Sequence, residues 1–351
     1  MKICTYSIAL NEAKHVQRWL NATKDSDYRV VADTGSIDGT AELLEAAGVT
    51  VHRIVVKPWR FDTARNTALA LLPTDADVCF SLDMDEVPEK NFYKKVRRQW
   101  VDGCHKAYVK MNTGSAWNAD RLHTRFGWRW VSPCHEVTEW YGEGQHQFCE
   151  IDAHISHQPD DTKSRGQYLP LLEMAVKETP HDPRMWVYLC REYYYAGMWM
   201  RCVETARKAL DCKPWGPEAA AVCRWAGHSS KNLGHDPGIA TGWYRNGVQF
   251  VNDEQEPWFG IAIDAYHNQQ WQACLDASLR ILELPPTTHY LHDHNIGAWQ
   301  AYDLASVSLW NLGDPQTALT FAREAAKADS PERDRLVRNL EFLEKACESA
   351  S

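Results

Sequence analysis

The sequence of 351 residues has no apolar run of about 18 residues, and this absence excludes a membrane-spanning helix. Its N-terminal stretch is too short and too polar for a signal peptide. Although there are 11 cysteines, no Cys-x-x-Cys pair occurs, so a disulfide framework is not indicated. We therefore expect reduced thiols and a cytoplasmic protein.

The chain also has fewer basic than acidic residues, and its formal net charge is −9. This balance argues against binding to nucleic acid through bulk charge, although it leaves a local basic patch open. Hydrophobic residues make up 44% of the chain and charged residues 24%, a mix that supports a core and excludes disorder or a coiled coil. The length allows two medium domains or one large one.

The first half of the chain alternates short apolar runs with segments of helical periodicity, a pattern typical of strand–helix units. Such repeated units predict a parallel sheet covered on both faces, with ligands at the carboxyl ends of its strands. The predicted strands are 3–10, 28–32, 49–56 and 77–82, and the predicted helices are 13–23, 41–47 and 63–72.

In the second half the strand pattern stops and helical periodicity takes over. Aromatic and small residues recur at the spacing of tetratricopeptide helix pairs, with a degenerate unit around 219–250. The three copies are Trp186, Leu189, Tyr193, Cys202, Ala206, Ala209 and Pro214; Trp258, Ile261, Ala262, Ala265, Cys274 and Pro286; and Tyr302, Ala305, Ala318, Ala322 and Ala325. We predict an N-terminal domain over 1–160 and an all-α, tetratricopeptide-like domain over 161–351.

Polar motifs follow three of the predicted strands. Asp83-x-Asp85 ends a buried strand, where two carboxylates can hold a divalent cation such as Mn²⁺ or Mg²⁺. The octapeptide 33–40, Asp-Thr-Gly-Ser-Ile-Asp-Gly-Thr, follows another strand, and its glycines allow a close approach of the backbone. Asp33 can accept a hydrogen bond from a base, but the same octapeptide is equally typical of a well-capped turn.

Four motifs, in this order and at these separations, resemble the family 2 glycosyltransferases of the GT-A fold. They are Asn11-Glu12, the octapeptide 33–40, Ala64-Arg65-Asn66 and Leu82-Asp83-Met84-Asp85-Glu86. The resemblance covers about residues 1–160, and the helical second half is similar to bacterial and phage members. It implies a GT-A (Rossmann-like) nucleotide-sugar domain, and a cytoplasmic location in a bacterium or a phage-infected cell.

The resemblance also implies residue roles. Asn11, Glu12 and Asp33 would surround a uracil-type base and ribose, and Arg65 would lie near the diphosphate. Asp85 would ligate the metal, and Asp83 would lie near the ribose or the metal.

The base that an inverting transferase needs is less clearly marked. Glu136 in the segment 128–136 is the candidate, worth about 10²–10⁴ in rate, with Asp152 and His135 as alternatives. A purely structural His135–Glu136 pair is the other interpretation.

The segment that follows offers further ligands. His157 (or His154) is a candidate third metal ligand, and Lys163 and Arg165 could close over the diphosphate as a cationic lid. Trp117, Trp128, Trp130 and Trp140 would either stack on an acceptor or, more commonly, belong to the core.

The leading hypothesis is an inverting, metal-dependent hexosyltransferase. It would move a sugar from a nucleotide-diphosphate donor, such as a UDP-sugar, to a hydroxyl of phage DNA bearing a hydroxymethylated base, of a glycan or of a peptide. One alternative is a nucleotidyltransferase, disfavoured because no Gly-rich basic loop follows the first strand. The other is a helical-repeat binding scaffold with an inactive sugar-nucleotide domain and a protein partner on its repeats.

Overall fold

A computed structural model of the chain describes residues 1–112, 116–158, 166, 168–287, 290–291, 293 and 296–349. The chain divides into two compact units, Met1–Ala175 and Val176–Ser351. The boundary predicted after residue 160 lies N-terminal to this division and stays a prediction. Among the described residues, every helix is too short or too polar to span a bilayer.

The first unit contains ten strands and five helices in its described residues, the last helix running across the division. Its strands are β1 (Ile3–Ala9), β2 (Tyr28–Asp33), β3 (Thr50–Arg53), β4 (Val78–Ser81), β5 (Glu86–Pro88), β6 (Lys106–Asn112), β7 (Ala116–Thr124), β8 (Trp128–Val131), β9 (Val137–Trp140) and β10 (Phe148–His157). Its helices are α1 (Ala13–Ala22), α2 (Thr40–Ala46), α3 (Phe61–Ala70), α4 (Phe92–Gln99) and α5 (Tyr168–Glu178).

Eight of these strands form one sheet in the order β3-β2-β1-β4-β7-β6-β10-β5, and β8 and β9 form a separate ribbon. The first four strands of this order are parallel, as their strand–helix pattern predicts. The sheet as a whole is mixed, because β7 pairs antiparallel with both β4 and β6. The prediction of a parallel sheet therefore holds for the first four strands, and in the second half β6 and β10 also pair in parallel.

Helices cover both faces of this sheet, as predicted. Trp19 of α1 and Phe92 of α4 lie fully buried in the core on one face. Ala68 of α3 packs with Tyr6 of β1 on the other. The Trp19 indole N–H donates to the carbonyl of Leu82, 3.2 Å away, which fixes α1 to the end of β4.

One cysteine pair differs from the expected reduced thiols. Cys104 and Cys149 form a disulfide that joins the segment before β6 to β10. No local pattern marks this pair, because the two cysteines are 45 positions apart and meet only through the pairing of β6 with β10.

The second unit is entirely helical in its described residues, as predicted. Its helices are α6 (Pro183–Tyr195), α7 (Trp199–Asp211), α8 (Gly216–Asn232), α9 (Pro237–Phe250), α10 (Gln255–His267), α11 (Trp271–Glu283), α12 (Ala298–Asn311), α13 (Pro315–Ala326) and α14 (Arg333–Ser349). They pack as successive pairs, α6 with α7, α8 with α9, α10 with α11 and α12 with α13, and each pair contacts the next.

A repeated hydrogen bond supports the predicted repeats. The Trp186 indole N–H donates to the carbonyl of Pro180, six residues earlier, at 2.9 Å. The Trp258 indole N–H donates to the carbonyl of Asn252, also six residues earlier, at 2.9 Å. A tryptophan at the equivalent position of two different helix pairs therefore fixes the chain where it enters the first helix of each pair. The tetratricopeptide-like organisation predicted for this half is confirmed.

The degenerate unit of the sequence is the pair α8–α9, and glycines explain how it still packs. A Cβ atom added at Gly227 would lie 2.7 Å from the Tyr244 ring, and one added at Gly260 would lie 2.6 Å from it. Tyr244 of α9 is therefore held between glycines of α8 and α10, where small residues let the helices approach closely.

We predict that Gly227→Ala destabilises the protein although alanine is the better helix former. Overpacking against Tyr244 costs about 1–3 kcal/mol, which outweighs a propensity gain of about 1 kcal/mol. Gly242→Ala in α9 is the matched control, because its Cβ would meet nothing within 4 Å. Denaturant unfolding should show a loss for the first and a gain for the second. Equal gains in both would contradict the packing described here.

Candidate functional site

The loops after β1 and β2 are tied together by hydrogen bonds. The Asn11 N–H donates to Ser36 Oγ at 2.9 Å, and the Ile37 N–H donates back to Asn11 Oδ1 at 2.9 Å. The Ala13 N–H donates to Asp38 Oδ2 at 2.9 Å. Asn11 therefore has a role in joining the two loops.

Asp33 and Glu12 lie at the same edge and are buried. Asp33 Oδ1 accepts hydrogen bonds from the N–H groups of Gly35 and Ser36 at 3.0 and 2.9 Å. Gly35 has a φ of 115°, in the left-handed region that favours glycine. Asp33 Oδ2 is buried and has no hydrogen-bond partner among the described residues. The Glu12 N–H donates to Thr40 Oγ1 at 2.8 Å.

Arg65 of α3 lies at the centre of a buried ion-pair network. Its Nε is 2.5 Å from Glu136 Oε1, and its Nη1 is 2.9 Å from Asp83 Oδ1. The guanidinium also lies 5.0 Å from the centroid of the Trp130 ring. The candidate base and the first acid of Asp83-x-Asp85 thus both form an ion pair with the same arginine.

Arg121 of β7 extends the network to Glu86. It lies 3.5 Å from Asp83 Oδ2 and forms a closer ion pair with Glu86. Although burial opposes the shift, Arg65 and Arg121 hold the pKa of Asp83 well below its usual range. Burial raises the pKa of Glu86 to about 7, against the attraction of Arg121. The network therefore keeps Asp83 ionised and brings Glu86 close to its titration near neutral pH.

Asp85 and His157, both predicted as metal ligands, lie close together. His157 Nε2 is 3.2 Å from Asp85 Oδ2, and this hydrogen bond raises the pKa of the imidazole despite partial burial. Asp83 is engaged by its two arginines instead. Within the described residues there is no cluster of three or more His, Cys, Asp or Glu side chains able to hold a metal ion. His154 pairs with Glu89 at 3.5 Å.

The remaining predicted residues are dispersed or not described. Lys163 and Arg165, the predicted lid, lie outside the described residues. Asp152, an alternative base, is exposed and lies 3.7 Å from Lys110. Trp128 and Trp130 are buried, in keeping with the core interpretation of the tryptophans.

Sequence reasoning missed Arg121 altogether. It lies on β7, which reaches the network only because β7 inserts between β4 and β6 in the sheet. No local motif marks it, since its partners are 35 or more positions away in the chain. Glu86 could have been recognised as part of the polar cluster after β4, but not as the partner of an arginine.

The chain shows only limited similarity to known proteins. No protein-family model and no curated protein matches the chain. Among solved structures it is similar to YrrB, described as "a TPR protein with an unusual peptide-binding site". The identity is 16%, 50% of this chain and 84% of that one are covered, and the TM-score is 0.41.

Two further structures are similar to a comparable extent. TTC0263, a thermophilic TPR protein of Thermus thermophilus, is 16% identical over 50% of this chain and 88% of its own, with a TM-score of 0.37. PilF of Pseudomonas aeruginosa is 12% identical over 48% of this chain and 69% of its own, with a TM-score of 0.38.

These comparisons correct two predictions from the sequence. The assignment to the family 2 glycosyltransferases is wrong, since no family model matches and the similar structures are tetratricopeptide proteins. The prediction of a hexosyltransferase enzyme fails with it. The geometry accounts for the error, because residues read as catalytic also serve to tie loops together and to build the Arg65 network.

We predict that Arg65→Met destabilises the protein by about 3–5 kcal/mol, because it leaves Asp83 and Glu136 without their shared cation in a buried place. Arg129→Met is the control. Its ion pair with Glu139 is exposed on both sides and is worth about 1 kcal/mol or less. Chemical denaturation of both variants measures the difference. A loss of equal size in the two would show that the Arg65 network does not behave as a buried one.

Proposed function

We propose that the chain is a binding scaffold whose helical unit holds an extended peptide of a protein partner. The candidate surface is the face formed by the first helices of successive pairs, hereafter the first-helix face. Helical repeats commonly use such a continuous face for binding, because each repeat adds side chains beside those of its neighbour.

The first-helix face begins on α6 with residues at helical spacing. Arg184, Tyr188, Arg191 and Tyr195 follow one another at steps of four, three and four, so they share one side of the helix. None of the four is buried, and Tyr195 is 69% exposed. The Arg191 guanidinium lies 4.8 Å from the centroid of the Tyr188 ring.

The adjacent helix α8 continues the face at the same spacing. Pro217, Ala221, Arg224 and His228 recur at steps of four, three and four. Tyr194 of α6 contacts His228, with 5.4 Å between ring centroids, so the two stripes are neighbours. Arginine and tyrosine are the side chains that most often dominate the binding energy of interfaces. This stripe of partly exposed cations and aromatic rings is the observation that carries the proposal.

The proposal is tested by selecting binders from a displayed library of random peptides, each about as long as one helix of the repeats, on the full-length chain. We expect the selected peptides to lose about tenfold or more in affinity for Arg184→Gln/Arg191→Gln, because two cationic anchors are removed. Arg207→Gln, on the exposed side of α7, is the matched control and should bind as the wild type does. Failure to select any peptide, or equal affinity for all three chains, would contradict the proposal.

A second candidate function is supported by the free oxygen of Asp33. A buried carboxylate oxygen with no partner among the described residues is costly, and a ligand N–H would relieve that cost. The predicted GT-A, nucleotide-sugar type of fold therefore stays a proposal for the first unit, as a site for a uridine nucleotide without any transfer reaction. Asp85 and His157 fit a divalent cation, Mn²⁺ or Mg²⁺, on such a nucleotide, whereas Asp83 does not because two arginines hold it.

Calorimetric titration of the chain with UDP and Mn²⁺ tests this candidate. Asp33→Asn keeps an oxygen for the Gly35 and Ser36 N–H groups but replaces the free acceptor by a donor. We therefore expect UDP to bind the wild type better than CDP, and the preference to reverse in Asp33→Asn, by about tenfold in each case. Asp102→Asn on the surface is the control. Absence of binding heat, or an unchanged base preference, would reject the nucleotide site.

A further inference from the structure

The connection between α11 and α12 differs from the connections between the earlier helix pairs. It runs over residues 284–297, whereas α7 joins α8 through 212–215 and α9 joins α10 through 251–254. A helical repeat does not need so long a connection to pass from one pair to the next. The described residues of this connection contact α8 and the start of α10, which belong to the two preceding pairs.

Three side chains of the connection make polar contacts with the first helices. The Tyr290 hydroxyl donates to Glu218 Oε1 of α8 at 2.5 Å. Asp293 Oδ2 accepts from Arg224 Nη1 at 3.2 Å, and the Asp293 N–H lies 3.3 Å from Glu256 Oε1. The Thr287 hydroxyl donates to the other oxygen of Glu256. Glu218 and Glu256 of the helices thus accept hydrogen bonds from the connection, and Arg224 pairs with the carboxylate of Asp293.

Between these polar contacts lies an apolar pocket. It is a small, partly open pocket, and Leu291 forms one of its walls. The opposite walls come from α8 and the start of α10, and they are Pro217, Ala220, Ala221, Arg224, Glu254, Glu256 and Pro257. Leu291 therefore lies across this pocket from small and proline side chains of both helices.

These contacts have the pattern of a bound peptide rather than of a tight turn. They join residues 31 to 72 positions apart, they bridge helices of two different pairs, and they combine one apolar residue with matched charges. Arg224 also belongs to the first-helix face described above. The residues of the connection therefore indicate which kinds of side chain this face can bind.

We propose that the surface of α8 and α10 binds a partner peptide that presents a tyrosine, an adjacent leucine and a carboxylate two residues further on, and that Thr287, Tyr290, Leu291 and Asp293 occupy this surface until the partner displaces them. This inference rests on the proposed scaffold function and names its partner chemistry. Glu218 accepts the hydrogen bond of the phenol, the leucine lies against the apolar pocket, and Arg224 pairs with the carboxylate. Because the internal segment competes, the affinity for a partner is lowered by the fraction of chains whose surface is covered.

The test uses a fluorescein-labelled peptide with the sequence of residues 286–297, added to the full-length chain and followed by fluorescence anisotropy. Leu291→Ala/Asp293→Asn weakens the internal segment and leaves α8 and α10 intact. We expect this variant to bind the peptide about tenfold more tightly than the wild type does, because its surface is covered less of the time. A scrambled peptide of the same composition should bind neither chain. Equal affinity of the wild type and the variant, or equal binding of the scrambled peptide, would overturn the inference.

A charge exchange keeps the test independent of the folding of that variant. Arg224→Glu should prefer a peptide with lysine at the position of Asp293, and the wild type should prefer the original peptide, by about tenfold in each case. Thermal unfolding of each chain confirms that it is folded. No exchange of preference would also overturn the inference. If library peptides still depend on Arg184 and Arg191 in that event, the scaffold function stands and only this surface is wrongly assigned.

Discussion

The first unit depends on a single buried cation. Arg65 is 5% exposed and satisfies Asp83 at the end of β4 and Glu136 between β8 and β9, so one guanidinium fixes three separate parts of the chain. Arginine suits this place because its planar fork stays charged and can meet two carboxylates at once. Arg121 adds a second cation from β7 and balances Glu86. Three carboxylates of this interior are therefore paired with two arginines of the same chain.

The helical unit has a different physical basis. Its pairs pack through small residues, with Ala262, Ala265 and Ala277 buried between α10, α11 and their neighbours. Close packing of backbones leaves the longer side chains of the first helices outside the core, and these carry the cations and aromatic rings of the first-helix face. A repeat that buries its small residues thus presents its large polar ones, and binding is the function that such an arrangement supports.

Local patterns in the sequence were sufficient for the parts of the fold that local forces decide. The parallel strands β1 to β4 with their helices follow from hydrophobic periodicity, as do the helix pairs that contain Trp186 and Trp258. The insertion of β7 beside β4 and the Cys104–Cys149 pair depend on long-range pairing, for which one sequence holds no signal.

The sequence predicts where the polar residues of the candidate site lie, but not which of them form ion pairs with each other. The sequence predicts that Asp83 and Asp85 act together on a metal, and in the structure Asp85 lies near His157. Asp83 and Asp85 have different neighbours, however, although they are only two positions apart. Of the two, Asp83 is the one that forms ion pairs with Arg65 and Arg121. Motif resemblance describes residue types in order, whereas their charge state depends on which cations the fold brings to them.

The tryptophan hydrogen bonds of the helical unit have a consequence for how the unit responds to tension. Trp186 and Trp258 each anchor the chain to a carbonyl six residues before it, inside their own repeat. In the part of the chain that the structure describes, each pair packs mainly on its neighbours in sequence, apart from the contacts of Tyr290 and Asp293 with α8. Pulled from its ends, the unit would extend in steps of one helix pair, and the bonds of Tyr290 and Asp293 to α8 would delay the release of the middle pairs.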